Sequence, residues 1–338
     1  MKVAILAHEK FPDRAKTAVG ILRYSDYEVE AILDRDKAGD RVHDYLPDVQ
    51  DAPIVASMGD APRGLDALII GIAPIGGGFD ESWRPDVRTA LQRECDLISG
   101  LHYFLQEDDE FRNLADAHDC EIWDVRKPPD DLTVSEGTAD EVSAEIILTV
   151  GTDCSVGKMT ATVELLRAAK DKGASAAFIP TGQTGIMIEN WGNPIDRVIS
   201  DFTAGAVEEM ILERGDDYDY LFVEGQGSIV HPAYSGVTCG ILHGSMPDKL
   251  VLCHEAGRER IHGYEKTRLP PLKDYVSIYE GLAEPVHETR VVAGALNTQY
   301  LDGDEEARDA VEEFSERIEA PATDPIRFDP KEIIGEVL

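Results

Sequence analysis

The stretch that most constrains this chain runs from Ala144 to Thr162, A-E-I-I-L-T-V-G-T-D-C-S-V-G-K-M-T-A-T. Ile146, Ile147, Leu148, Thr149 and Val150 form an apolar, largely β-branched run of the kind that fills a buried parallel strand. Gly151 ends the run, and a short loop leads to Gly157-Lys158. Beyond the lysine, Val163, Leu166 and Ala169 recur at helical spacing in a helix-favouring composition. Strand, glycine-bounded loop, lysine and helix in that order make an anion cradle. Consecutive backbone N–H groups turn inward, and the positive end of the helix adds to the field. The lysine then brings an ammonium to the outer phosphates. The expected phosphate-binding residues are therefore Gly151, Thr152, Asp153, Cys154, Ser155, Val156, Gly157, Lys158, Met159 and Thr160, with Lys158 also a catalytic candidate. Five residues separate the two glycines, one more than in the commonest loop, and Met159 stands where Ser or Thr usually reaches Mg²⁺. The loop is built to hold phosphate and less evidently to split it.

Before this stretch, strands and helices alternate. Lys2–Ala7, Tyr27–Leu33 and Leu65–Ile72 read as strands, and Ala15–Tyr24 and Arg84–Ser99 as helices. That alternation predicts a small parallel-sheet, Rossmann-like domain over residues 1–125. Asp34–Asp36 after the second strand is where a ribose would be held, but the first loop, His8 to Pro12, has no G-x-G-x-x-G. Gly76-Gly77-Gly78 suits either close approach to a ligand or an exposed turn. Residues 126–143 are Pro-rich, acidic and poor in apolar side chains, hence a linker, and 144–338 form the larger domain. The fold class is α/β, with a mostly parallel sheet in each domain.

The charge bounds the partners. With 66 acidic against 32 basic residues the formal net charge is −34, which excludes nucleic acid as a partner because binding it needs a basic face. A hydrated acidic surface on an enzyme of a salt-accumulating, halophilic cell fits this composition. Five scattered cysteines without C-x-x-C spacing point to free thiols in a reducing compartment. No apolar run reaches membrane-spanning length and the first residues read as a strand, so no membrane partner and a cytoplasmic location are expected. A symmetric homo-oligomer is the usual state for such a protein.

Further candidates lie at strand ends in the second half. Ser175–Pro180 delivers T-G-Q-T-G-I-M-I, whose Thr181, Gln183 and Thr184 suit a substrate-contacting loop or a polar turn. Asp201 would cap a helix or, less simply, touch a metal. Glu224, ending Y-D-Y-L-F-V-E-G-Q-G, stands where an acidic group can hold Mg²⁺ or act as a base. His231 follows closely, as an acid/base or a structural loop histidine. Arg258, after the strand Lys249–Cys253, can clamp a substrate carboxylate or sit in an ion pair. Asn297 follows the last strand, Val291–Leu296.

Two resemblances sharpen these expectations. G-T-D-C-S-V-G-K-M-T, V-E-G-Q-G and G-A-L-N-T occur in an order that resembles the dethiobiotin synthetase branch of P-loop proteins. That resemblance implies a phosphate loop at Gly151–Thr160, a metal-side carboxylate at Glu224 and an adenine contact at Asn297; Thr160 is then the nearest hydroxyl to a metal. Ile179 replaces the lysine that engages substrate in those synthetases. The whole chain, through A-K-T-A-V-G-I-L-R-Y, S-G-L-H, G-T-D-C-S-V-G-K-M-T, V-E-G-Q-G-S-I-V-H-P and L-C-H-E-A-G-R, is more closely similar to family 1611 of the domains of unknown function. That family pairs a Rossmann-like domain with a P-loop NTPase-like domain, and members are assigned as D-glutamate N-acetyltransferases using acetyl-CoA. The resemblance implies that activity on a small acidic amino acid. Acetyl transfer to an amine needs a base and a donor for the thioester oxyanion, for which Glu224 or His231 and the amides of Gly225–Ser228 are the candidates. Coenzyme A carries a pyrophosphate and a 3′-phosphate, so a cradle can hold it without hydrolysis, and loss of the Mg²⁺ hydroxyl harms phosphoryl transfer more than docking. The competing expectations are an ATP- and Mg²⁺-dependent kinase or ligase and a non-catalytic nucleotide-binding protein.

Overall fold

The computed structural model of the protein describes residues 1–74 and 77–338; Gly76 of the expected glycine loop lies outside them. The described chain divides into two compact units, Met1–Pro128 with Gln183–Pro194, and Pro129–Gly182 with Ile195–Leu338.

The first unit comprises β1 (Lys2–Leu6), α1 (Lys16–Tyr24), β2 (Glu28–Leu33), β3 (Ile54–Val55), β4 (Ala67–Ile70), α2 (Arg84–Gln92), β5 (Asp96–Ser99), α3 (Asp109–His118) and β6 (Ile122–Asp124). All neighbouring strands pair in parallel, in the order β3-β2-β1-β4-β5-β6, which is the doubly wound Rossmann order. The central strands read as continuous apolar runs because both faces of such a sheet are covered; Val3 to Leu6 and Ala67 to Ile70 are fully buried. The helix expected over Arg84–Ser99 ends at Gln92 instead. Glu94 adopts a left-handed backbone (φ 61°), and the following D-L-I-S is a strand whose Leu97 and Ile98 enter the core. Asp34 is fully buried, and its carboxylate accepts the amides of Glu9 (3.1 Å), Phe11 (3.1 Å) and Asp36 (3.0 Å). Its lone pairs shape the loop after β1, and a ribose hydroxyl would have to compete with those amides.

The second unit begins with β7 (Glu145–Gly151), α4 (Lys158–Asp171) and β8 (Ala176–Ile179). The chain then leaves it: α5 (Gln183–Glu189) belongs to the first unit, where Ile186 and Met187 join the core and Thr184 Oγ1 meets Thr17 Oγ1 at 2.9 Å. The second unit resumes with α6 (Thr203–Arg214), β9 (Tyr220–Val223), α7 (Ser235–Ser245), β10 (Lys249–Glu255), the antiparallel hairpin β11 (Arg260–Ile261) and β12 (Tyr264–Arg268), α8 (Leu272–Ala283), β13 (Arg290–Asn297), α9 (Gly303–Ile318), β14 (Ala322–Thr323) and α10 (Ile334–Val337). Its main sheet is parallel, in the order β14-β13-β10-β7-β9-β8. β7 is central: successive strands after it lie first on the β9 side and then on the β10 side. This reversal opens a crevice at the carboxyl end of β7, where ligands bind in such sheets.

Asp201 does not cap α6. It lies inside a 3₁₀ turn, Ser200–Phe202, and Phe202 occupies the cap position without a side-chain bond. The acidic segment before β7 is held firmly where it crosses α6. Glu208, 4% exposed, accepts Ser135 Oγ (2.7 Å) and the amides of Glu136 (2.7 Å), Gly137 (2.7 Å) and Thr138 (2.9 Å). Burial alone would raise this carboxyl, yet the four donors outweigh it and hold it below the usual glutamate range.

Candidate functional site

The loop after β7 is shaped as an anion nest. Ser155 (φ 57°) and Gly157 (φ 100°) take left-handed conformations on either side of Val156, which turns successive amides toward one point. The amides of Val156 and Gly157 have no acceptor among the described residues, and Lys158 opens α4, whose first-turn N–H groups add to the field. Lys158 is buried, and its Nζ donates to the Asp153 carbonyl at 2.8 Å, so the ammonium folds back over the loop. Gly151 permits this. A Cβ there would lie 2.8 Å from Lys158 Nζ and 3.0 Å from its Cδ.

The loop is braced from behind. Asp153 is fully buried; its carboxylate accepts Arg258 Nη1 (3.1 Å) and the amides of His262 (2.7 Å) and Cys154 (2.7 Å). Arg258 also donates to Glu255 Oε1 from Nε (2.9 Å) and Nη2 (2.6 Å) and to the Cys154 carbonyl (3.3 Å). Burial would lower Arg258, but Glu255 and Asp153 raise it further, so it stays charged. Of the two roles the sequence allows it, the structure shows the ion pair. Thr152 Oγ1 meets His254 Nδ1 at 2.8 Å. Burial first, and then the neighbouring Arg258 charge, depress His254 to about 4, so this imidazole is neutral at physiological pH. The buried Tyr279 hydroxyl donates to the Gly151 carbonyl (2.7 Å) and accepts the Ile229 amide (3.1 Å), while Ser228 Oγ donates to the Thr152 carbonyl (3.0 Å).

Glu224 lies buried at the end of β9, one strand over. Its Oε2 accepts the amides of Thr181 (3.2 Å) and Gly182 (3.1 Å), and Thr181 Oγ1 donates to its backbone carbonyl (2.7 Å). The next residue can only be glycine: a Cβ on Gly225 would fall 1.8 Å from the Thr149 carbonyl oxygen. The Gly225 amide donates to Thr149 Oγ1 (3.2 Å), which removes it from the expected set of oxyanion donors. Thr160, in the first turn of α4, has a half-buried hydroxyl with no hydrogen-bond partner among the described residues. Thr160 and Glu224, the two residues expected on a metal, both carry oxygen donors of the hard type that Mg²⁺ prefers.

His231 is held differently from an available base. Its Nδ1 accepts the Ala233 amide (3.1 Å), which places the proton on Nε2, and Nε2 donates to the His262 carbonyl (3.2 Å). The ring stacks on Tyr234 with centroids 4.6 Å apart. Ligand atoms of Asp153, Cys154 and His231 lie within 4.8 Å of one another, but the Asp153 and His231 donors are already spent on these bonds. Asn297 ends β13 beside the nest; a Cβ on Gly157 would stand 3.9 Å from the Asn297 Cβ. Of the residues expected to touch substrate, Thr181 stays with Glu224, whereas Gln183 accepts Arg126 Nη2 (2.7 Å) and Thr184 packs on Thr17, both within the first unit. Sequence reasoning passed over Tyr279, His262 and His254. Only His254 carried a signal, its place at the carboxyl end of a buried strand.

Comparison with known proteins agrees with this architecture. Residues 133–334 match the P-loop domain of a domain of unknown function, DUF1611, and residues 35–128 match its Rossmann-like N-terminal domain. A D-glutamate N-acetyltransferase of Tritonibacter scottomollicae is 37% identical over 78% of this chain and 78% of its own length. One from a Pseudoalteromonas species is 34% identical over 82% of each. The crystal structure of a DUF1611 family protein from Anabaena variabilis superposes with a TM-score of 0.93 at 37% identity, over 99% of this chain and 98% of that one.

Proposed function

This chain belongs to the DUF1611 family, and from that membership and the geometry of its phosphate loop we propose that it is an N-acetyltransferase that acetylates the α-amine of D-glutamate or a closely related acidic amino acid from acetyl-CoA. The observation that carries the reading is the nest itself. The Val156 and Gly157 amides, without acceptors among the described residues, and the buried Lys158 ammonium, which folds over the loop onto the Asp153 carbonyl, lie at the carboxyl end of a parallel strand and suit a pyrophosphate held without being cleaved. Bound there, the cofactor supplies an acetyl group activated as a thioester. The chain supplies orientation and proton transfer. Glu224 is the proposed proton acceptor for the substrate ammonium, because two backbone amides fix its carboxylate while both ring nitrogens of His231 are engaged. Lys158 and the residues from Gly151 to Thr160 hold the cofactor, with Asn297 beside its base. The five cysteines are all free, which supports a reducing, cytoplasmic setting. Among the described residues no helix is long and apolar enough to cross a membrane.

Release of free thiol from acetyl-CoA in the presence of D-glutamate tests this. The expected result is turnover that falls about 100-fold or more in Glu224→Gln; undiminished turnover in that variant would remove Glu224 from the chemistry. One observation favours a second reading: the Thr160 hydroxyl, without a partner among the described residues, and Glu224 both carry oxygens that would suit a Mg²⁺–nucleotide. Mg²⁺-dependent release of ADP from ATP, without thiol release, would decide for that reading.

A further inference from the structure

Beside the nest the second unit carries a recess of about 210 Å³, lined by His254, Arg258, Glu259, Arg268, Arg317 and a wall of Leu269, Pro270, Pro271 and Leu272. In a chain with twice as many acidic as basic residues, three arginines around one small recess run against the composition. Arg258 is already held by Glu255 and Asp153, so the charge open to a ligand is that of Arg268 and Arg317, faced in the lining by Glu259 and the neutral His254. Arg268 has no carboxylate partner among the described residues. Among the described residues Arg317 pairs only with Glu313, one turn back on α9, and both side chains are about 60% exposed. Such a surface pair contributes little and yields readily to a ligand. The recess is also tied to the phosphate loop, since His254 bonds Thr152 and Arg258 bonds Asp153.

We propose that this recess binds a phosphate monoester dianion, and that the group it takes is the 3′-phosphate of coenzyme A while the nest holds the pyrophosphate. The inference rests on the acetyl-CoA reading above and assigns residues to a part of the cofactor that the nest leaves unbound. Size agrees: pockets that enclose a whole ligand run from roughly 300 Å³ upward, so this one suits a single group of a larger molecule. Two guanidiniums, Arg268 and Arg317, also favour a phosphate monoester, which carries close to two negative charges at neutral pH, over a substrate carboxylate, which carries one. The planar guanidinium forks of Arg268 and Arg317 match phosphate oxygens in pairs. Leu269, Pro270 and Pro271 offer an apolar surface on which the adjoining ribose can rest.

Calorimetric titration of the full-length protein with coenzyme A and with 3′-dephospho-coenzyme A, at one KCl concentration that keeps it folded, tests the assignment. The wild type is expected to prefer coenzyme A by about tenfold or more. The double variant Arg268→Gln/Arg317→Gln is expected to bind both alike, with its affinity for the dephospho form unchanged. Equal binding of the two by the wild type overturns the inference and leaves the acetyl-CoA reading standing, and needs no variant to fold. Binding of neither overturns both. A double variant that keeps the preference, or that raises KM for D-glutamate while keeping it, assigns the recess elsewhere and overturns the inference.

Discussion

Glu208→Gln is the change whose effect can be worked most fully from the structure. The carboxylate anchors the segment before β7: one oxygen accepts Ser135 Oγ, Gly137 N and Thr138 N, and the other accepts Glu136 N. A glutamine keeps the shape but must turn its NH₂ toward at least one of these donors. Turned toward Glu136, it leaves one buried N–H facing another and exchanges the other three charge-assisted bonds for neutral ones. One unsatisfied donor and that weakening together cost about 3 kcal/mol. For a unit of this size the melting temperature falls by about 6–12 °C near neutral pH. The pH dependence has a definite sign. Glu208 is depressed in the folded state, so its contribution is complete above the ordinary glutamate range and is lost as pH falls through the folded-state value. Thermal melts of wild type and variant should therefore converge as the pH falls below the ordinary glutamate range. Equal melting temperatures at neutral pH, or a gap that widens on acidification, would refute the reasoning.

Other outcomes follow from the same geometry. Gly225→Ala places a methyl 1.8 Å from the Thr149 carbonyl oxygen and must push β9 from β7, so a loss of about 3 kcal/mol or more is expected, read as insoluble protein or a collapsed denaturation midpoint. Asp153→Asn removes a fully buried partner of Arg258. Glu255 still holds Arg258, so the expected cost is that of the weakened charge-assisted bonds, about 2–3 kcal/mol in denaturant titrations, and stability within 1 kcal/mol of wild type would deny the brace its role. The net charge of −34 predicts cooperative melting that rises from low salt to molar KCl as surface repulsion is screened, while indifference to salt would oppose the halophilic reading.

The parts of this protein legible in its sequence are those where one pattern fixes both structure and chemistry. The run Ile146–Val150 reads as a buried strand, and the glycine, loop, lysine and helix that follow it stand in the order the sequence predicts, although the loop is one residue longer than the commonest one. The two-domain α/β class was legible for the same reason. Short strands were not: Asp96–Ser99 is four residues long and follows helical periodicity, so only the left-handed Glu94 separates it from α2. The packing of α5 was hidden because T-G-Q-T-G reads as a turn, while its burial depends on Ile186 and Met187 finding the core of the first unit. The braces behind the nest join residues about a hundred positions apart, as Asp153 joins Arg258 and Thr152 joins His254. No local periodicity encodes such a pair. The role of Arg258 was open between substrate clamp and ion pair until the fold brought Glu255 and Asp153 to it.

Everything proposed for this molecule turns on whether residues 151–160 hold the phosphates of a cofactor. Equilibrium titration of coenzyme A into wild type and Lys158→Ala measures that directly. Saturable binding that weakens by about tenfold or more in the variant, with the fold intact by circular dichroism, is the predicted result. Equal affinity in the two proteins would put the pyrophosphate somewhere other than this loop.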